Sequence, residues 1–453
     1  MTLSQWPDLH VDEIDGVPTA WSRVPGPLRA GLFLRVGYAD ETLVTSGVSH
    51  LLEHLALFGF SRPGDHSNGQ VEATTTLFHC TGDDATVVDF LRDVTRQLVS
   101  PPTERLEDER GVLRTEAASR GPSAEGALLT WRYGARTYGL AGQQELGLEH
   151  LTAEDLLAWS VRYATTGNAA LWLSGPPPAG LALSLPPGPR HPAPDAREAI
   201  VPALPAYFPA GDSRRIALHA VLDRGYANAA LADVVSGRLL DALRVDQAVA
   251  YSPRADYGAV TADAGRLLVF SDLAEGRATD GARLFMAVLS GLAGQAPVRE
   301  EELAGWHAAR DRQADEPAAQ LGFTVSQAWS LAFGSEVRSF ERAEAEMRAV
   351  RPEEVTAAAT AMMGNALVMQ PQGVRFVRDG WSAAPGISLG AAEVKLAWWQ
   401  LPWVKPTLAW LVVTVLVVAF AVAVVRGYIR ATGPILAGVF AASIYLRQRR
   451  SRR

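Results

Sequence analysis

The sequence predicts an α+β protein of two tandem related domains, each a sheet with helices packed on one face, followed by a C-terminal transmembrane helical hairpin. Three observations lead there. A strand-then-helices order occurs twice along the chain. A stretch dense in proline and glycine, "SGPPPAGLALSLPPGPRHPAPDA", separates the two runs. Near the other end, "TLAWLVVTVLVVAFAVAVV" (407–425) carries no charge at all.

The chain has 453 residues, enough for two or three domains that each bury a core. Its formal net charge of −7 argues against a nucleic-acid partner. A single cysteine, Cys80, rules out an intramolecular disulfide framework and a multi-cysteine zinc site.

The first domain is placed at 1–174. It opens with the alternation of "AGLFLRVGY", a strand signal. Helical periodicity follows over Val48–Leu57, Val87–Leu98, Glu104–Ala118 and Ala153–Ala164. Residues 175–198 form the linker, where prolines remove backbone donors and fix φ. The second domain, 199–379, has "RRIALHAVL" and "GRLLVFSD" as strands. "ANAALADVVSGRLLDALRV" and "GARLFMAVLSGLA" read as helices, and the alanine- and glutamate-rich stretch from Glu300 to Met363 as further helices. One duplication would explain the shared order, although no strict repeat is visible.

Residues 380–405 read as a tether and 406–453 as a membrane anchor with a basic tail. The 407–425 run is long enough for a hydrocarbon core of ~30 Å, and Trp403 and Trp410 sit where an interfacial aromatic belt would. A second apolar stretch, "ATGPILAGVFAASIYL", is short for a span, so a surface-lying helix is its alternative. "MTLSQWPDLHVDEIDG" lacks a basic, apolar secretory start. The large N-terminal part and the arginines of "RQRRSRR" should therefore both stay in the cytoplasm, which requires an even number of crossings. The expectation is a cell-membrane protein with two C-terminal spans, "RGYIR" as the far-side turn and cytoplasmic domains.

The chemistry sits in "GVSHLLEHLALFGF". His50 and His54 are four apart, so on a helix both imidazoles leave the same face one turn apart and can reach one metal ion. Glu53 lies beside them, placed to take a proton from a metal-bound water. Zinc suits two neutral imidazoles and a carboxylate, with a fourth position left open. Downstream, "LEDERGVLRTEAASR" puts Glu109 and Glu116 seven apart on one helix face. Taken alone, that pair reads as a solvated acidic face.

Together these segments resemble the inverzincin peptidases of the pitrilysin, insulin-degrading and mitochondrial-processing family, where an H-x-x-E-H helix is completed by a glutamate in a segment much like "ERGVLRTE". The resemblance implies Zn2+ held by His50, His54 and Glu116, with Glu53 as the catalytic general base. Glu109 would match the family's additional acidic residue and support the ligands from behind. "RLLDALRVDQAVAYSPRADYG" is similar to the family's L-R-x-x-x-x-x-x-Y segment. It implies that Arg244 and Tyr251 grip substrate and help to polarise the scissile carbonyl. Read alone, Arg244 is a salt-bridged helix residue and Tyr251 a core edge.

The implied activity is that of a membrane-anchored zinc metalloendopeptidase acting on peptides or small unfolded polypeptides. The family encloses substrate between four such domains. This chain supplies two, which implies a homodimer or a heterodimer with a related chain. The alternative from another class is an inactive peptide-binding or assembly subunit of the same fold. The sequence departs from the family in its membrane tail, which is not a usual family feature, and in two further places. His54 to Glu116 spans 62 positions (116 − 54), shorter than usual. The shortfall falls in the "SRPGDHSNGQ" loop between helix and strand. "VEATTTLFH" is expected to be the edge strand lining the cleft, with Glu72 where asparagine is common. His66 and His79 are read as loop or strand residues rather than alternative ligands.

Overall fold

The computed structural model describes residues 6–60, 66–119, 121, 123–201, 203–209, 214–372, 374 and 381–384. In the first half, strands His10–Ile14 (β1), Val17–Trp21 (β2) and Leu28–Leu34 (β3) precede helix Val48–Ala56 (α1). Strands Ser67–Val71 (β4) and Thr76–Gly82 (β5) follow. Helices Asp84–Val99 (α2), Leu106–Ser119 (α3), Ala124–Tyr133 (α4) and Ala153–Tyr163 (α5) lead to Ala169–Leu173 (β6).

The second half begins with Ala206–Pro209 (β7), Arg215–Asp223 (β8) and helix Tyr226–Leu239 (α6). Arg254–Ala259 (β9) and Ala264–Asp272 (β10) come next, then helices Ala278–Leu292 (α7), Glu300–Ala314 (α8), Pro317–Ala332 (α9), Phe340–Arg348 (α10) and Pro352–Gly364 (α11). Leu367–Gln370 (β11) and Ser382–Ala383 (β12) close it. The described part of the predicted tether is this last short strand. The predicted hairpin lies outside the described residues, and among the described ones no helix is long and apolar enough to cross a membrane.

Two six-stranded sheets result, in the orders β1-β2-β6-β3-β5-β4 and β12-β7-β11-β8-β10-β9. Setting aside β1 and β12, the two orders are the same permutation. In each, the first strand pairs parallel with the last, β2 with β6 and β7 with β11. The shared topology is what a duplication would leave after sequence similarity has faded.

Each strand alternates its side chains between faces. On one face of the first sheet, Leu32, Leu34, Phe78, Leu171 and Leu173 pack with Leu51 and Leu55 of α1, Phe90 and Leu91 of α2, and Leu156 of α5. Leu32, Leu51, Leu55 and Phe78 are wholly buried. The opposite face corrects the expectation of helices on one side only. Phe33, Ala170 and Trp172 are covered by Leu321, Ala328 and Ala332 of α9, a helix from the second half. The second sheet packs Ile216, Leu218 and Ala220 against Leu231, Phe285 and Val355 of its own helices. Its other face receives Leu129 and Tyr133 of α4, from the first half, beside Val221. Strands such as β3 and β8 are near-continuously apolar because both of their faces are buried.

The halves are also joined by polar contacts. Arg132 of α4 is fully buried. It donates to the Asn365 carbonyl at 3.1 Å and to Asn365 Oδ1 at 2.5 Å, and the Val221 N–H donates to that same Oδ1 at 2.8 Å. Segment 175–198 is strapped down. Tyr133 and Tyr138 hydroxyls donate to the carbonyls of Ala196 and Pro194 at 2.7 and 2.8 Å, and Leu183 and Leu185 enter the first core.

A second correction concerns "VEATTTLFH". It is not one strand but the end of β4, a turn closed by Glu72 N–H to the Thr75 carbonyl at 2.8 Å, and the start of β5. The turn contains no glycine, proline or asparagine, so the alternating pattern runs through it unmarked. The strand at the sheet edge is Ser67–Val71.

Replacing Arg132 by methionine keeps apolar volume but removes both charged hydrogen bonds to Asn365. The expected cost is about 2–4 kcal/mol of unfolding free energy, read as a lower urea midpoint; an unchanged midpoint would mean that this bond contributes nothing to joining the halves.

Candidate metal centre

Helix α1 is buried along most of its circumference, with Val48, Leu51, Leu52, Leu55 and Ala56 in the core. Its start is built from elsewhere in the chain. Gly47 takes a left-handed φ of 94°, and a Cβ there would stand 3.0 Å from the Cβ of Glu145, so both conformation and space call for glycine. The helix has no cap from Gly47 itself. Instead the buried Glu41 carboxylate accepts from the Gly47 and Ser49 N–H groups at 2.8 and 2.9 Å.

The remaining stripe of α1 carries His50, Glu53 and His54. Their ligand atoms lie within 4.8 Å of one another, the one such group among the described residues. The two rings stand nearly perpendicular, at 82°, with centroids 5.0 Å apart. Helix α3 brings Glu116 across from them. One of its oxygens is 3.7 Å from His50 Nε2 and the other 3.6 Å from His54 Nε2.

Each imidazole is also held from behind. His50 Nδ1 lies 2.8 Å from Glu145 Oε1, and His54 Nδ1 lies 3.3 Å from Glu109 Oε2. A carboxylate can only accept, so each Nδ1 is the donor to it, and a neutral ring in that tautomer keeps its Nε2 lone pair for a metal on the Glu116 side. That tautomer is the one a metal needs. Arg105 Nη2 approaches the second Glu109 oxygen at 3.7 Å and steadies it. Glu145 is absent from the sequence reading. It comes from the irregular segment before 3-10 turn Leu146–Glu149, pinned by the Gly147 N–H donating to Ser46 Oγ at 2.9 Å.

Glu53 is 5% exposed. Burial holds its carboxyl above the ordinary range, His54 and His50 pull it down, and Glu116 and Glu109 push it up. It presses on the edge strand. A Cβ on Gly69 of β4 would fall 2.0 Å from Glu53 Oε1, so glycine is what lets the carboxylate lie there. Glu53 Oε2 stands 3.8 Å from His54 Nε2. Four carboxylates (Glu53, Glu109, Glu116 and Glu145) thus converge on two imidazoles, an excess of negative charge that a divalent cation would reduce.

The structure places the side chains of His50, Glu53, His54, Glu109 and Glu116 close together. Arg244 and Tyr251 form a pair of their own on the second half, the guanidinium carbon 5.1 Å from the ring centroid. Arg244 lies in π-helical turn Leu240–Asp246, a geometry that often marks functional positions. Tyr251 is 77% exposed, so it is no core edge. His66 precedes β4 and is exposed; His79 is half-buried on β5, opposite Gly31 and Asn68. Neither joins the cluster.

No family model matches the sequence, and none of the curated proteins is detectably similar to it. Solved structures do share its fold. Pitrilysin superposes with a TM-score of 0.63 at 14% identity, over 85% of this chain and 46% of that one. The first half of the periplasmic protease PqqL from Escherichia coli gives 0.60 at 14% identity, over 82% of this chain and 93% of that one. A domain of an M16 peptidase from Pseudomonas fluorescens, described as inactive, gives 0.61 at 14% identity, over 82% and 100%. The chain therefore has the fold of the M16 peptidases.

Two predictions follow from the supports of α1. Glu145→Ala and Glu109→Ala should each weaken zinc affinity roughly 10- to 100-fold, measured by competition with a chromophoric chelator; unchanged affinity would remove them as ring supports. Burial lifts the Glu41 carboxyl from 4.5 to about 7. The folded state thus holds a proton that the unfolded state has lost, and stability should fall as pH rises from about 4.5 to about 7. Glu41→Gln should show a smaller drop in Tm across that window than the parent chain; equal drops would refute the assignment.

Proposed function

We propose that this chain is a membrane-anchored zinc metalloendopeptidase that hydrolyses peptides or small unfolded polypeptides. The observation that carries the reading is the convergence of two Nε2 atoms on both oxygens of Glu116, with each Nδ1 already engaged by a second carboxylate. His50, His54 and Glu116 would hold the metal. Bound there, zinc supplies Lewis acidity toward the scissile carbonyl and lowers the pKa of a coordinated water.

The chain's own residues do the rest. Glu53, kept protonatable by burial, takes a proton from the attacking water and passes it to the leaving amine. Substrate is held in extended form along β4. Hydrogen bonds from Glu72 N–H to Thr75 and from Thr81 N–H to His66 fix the phase of the β4–β5 ladder. The even-numbered residues of β4 bond inward, and the N–H and C=O groups of Ser67, Gly69 and Val71 point away from β5. They can pair with an added strand, and Gly69 of that row touches Glu53. Arg244 and Tyr251 would bind substrate and stabilise the oxyanion, in this chain or across a dimer.

The chain matches the first half of PqqL and under half of pitrilysin. That supports assembly with a second such chain, identical or related, to enclose the substrate. The apolar stretch 407–425 and the terminal arginines support two membrane crossings with the peptidase part in the cytoplasm. The inactive Pseudomonas fluorescens domain shows that the fold alone does not decide between enzyme and binding subunit. The complete donor set favours the enzyme.

Glu53→Gln should keep zinc and lose at least about 100-fold in kcat on a quenched peptide library. Cleavage at the parent rate would overturn the role of Glu53. For the anchor, reporters fused at residue 1 and after Arg453 should both report the cytoplasm; opposite sides would leave a single span.

A further inference from the structure

Helix α3 serves the candidate metal centre on two of its sides. One side carries Glu109 and Glu116, seven residues apart, and addresses the imidazoles of α1 directly. From the neighbouring side Arg110 and Arg114, four apart, reach the segment that follows Glu145.

Arg110 is 6% exposed. The carboxylate nearest to it, Glu107 Oε1 at 3.3 Å, belongs to a largely exposed side chain. Its hydrogen bonds go to the main chain instead. Nη1 donates to the Glu149 carbonyl and Nη2 to the Leu151 carbonyl, both at 2.7 Å. A buried, planar guanidinium spent on two carbonyls fixes the course of the chain that carries them.

That course leads back to Glu145. The Leu148 N–H donates to the Glu145 carbonyl at 3.0 Å, and the His150 and Leu151 N–H groups donate to the Gly147 carbonyl at 2.9 and 3.2 Å. Glu145 therefore lies four residues (149 − 145) from a carbonyl held by Arg110, across a turn closed on itself. Its carboxylate meets His50 Nδ1 at 2.8 Å.

Two other contacts hold the same segment, and neither orients it as Arg110 does. Leu148 and Leu151 enter the first core, an attraction without direction. Arg114 pairs with the Glu149 carboxylate, but both side chains are half exposed, and a solvent-screened pair contributes little. Removing Arg110 takes a donor from the buried Leu151 carbonyl, a loss large enough to make the turn rearrange.

We propose that Arg110 is a positioning residue for the metal centre: it holds the turn that carries Glu145 and, through Glu145, sets the ring of His50. Helix α3 then governs both histidines, His54 through Glu109 and His50 through Arg110 and Glu145. The proposal rests on the zinc reading for its use, not for the chain of contacts.

The test uses the full-length chain in detergent, metal-free and labelled with 15N at its nine histidines. Long-range proton–nitrogen correlation spectra report which ring nitrogen carries the proton, with the His50 signals identified by their loss in His50→Asn. Arg110→Met should move His50 from the Nδ1–H form toward a mixture of both tautomers and leave His54 as in the parent. Arg110→Lys, able to serve one carbonyl, should fall between, and it keeps the test open should the methionine variant not fold. Zinc affinity, by chelator competition, should drop about tenfold in Arg110→Met. The same substitution should change it by less than about twofold in a Glu145→Ala background, yet keep its full effect beside Glu109→Ala. If the parent binds no zinc while His50 alone still responds, the peptidase reading falls and the positioning role stands. A parent in which His50 lacks the Nδ1–H form, or a response of His54 as large as that of His50, would overturn the role. So would an equal loss of affinity with and without Glu145, or folded Arg110 variants with the parent's spectrum.

Discussion

Two imidazoles one turn apart on a helix face the same way only roughly; a metal site needs both Nε2 lone pairs aimed at one point. Here the aiming is done by carboxylates that α1 does not carry. Glu145 from an irregular loop and Glu109 from α3 each hold one Nδ1, and Glu116 from the same α3 lies opposite both Nε2 atoms. The centre is therefore a property of the whole first half. Core packing of α1 sets the position of its histidines, Glu41 secures its first turn, and the loop that delivers Glu145 is fastened to Ser46 beside that same turn. Like charges gathered this closely repel, and a cation bound among them would relieve that repulsion.

The relation between the halves carries the second part of the account. Each sheet lends its outer face to a helix of the other, α9 on the first and α4 on the second. This exchange buries both sides of β3 and β8 and places a polar-lined cavity where the halves meet. The edge strand β4 connects the two regions, with Gly69 against Glu53 at one end and Glu72 at the cavity.

Much of this was legible in the sequence, for physical reasons that can be named. Helical spacing puts His50, Glu53 and His54 on one face, and the heptad from Glu109 to Glu116 does the same for α3. The strand-and-helix order of the two halves follows from hydrophobic periodicity. Glu145 was not legible. It sits 91 positions after His54 (145 − 54) in a segment without periodicity, and only tertiary folding brings it to His50. Nor was the cap by Glu41, since a helix-start signal normally sits at the cap position and here that position is glycine. The hairpin between β4 and β5 was hidden because its turn, Glu72 to Thr75, carries no glycine, proline or asparagine to mark it. The exchange of α4 and α9 was hidden because periodicity shows that a face is apolar but not what covers it.

The most direct test of the central claim is the visible absorption spectrum of the chain loaded with Co2+ in place of zinc. One equivalent should give an intense d–d band of a four- or five-coordinate site, lost in His54→Ala and altered in Glu116→Gln. Binding without stoichiometry, or a spectrum indifferent to His50, His54 and Glu116, would contradict the account.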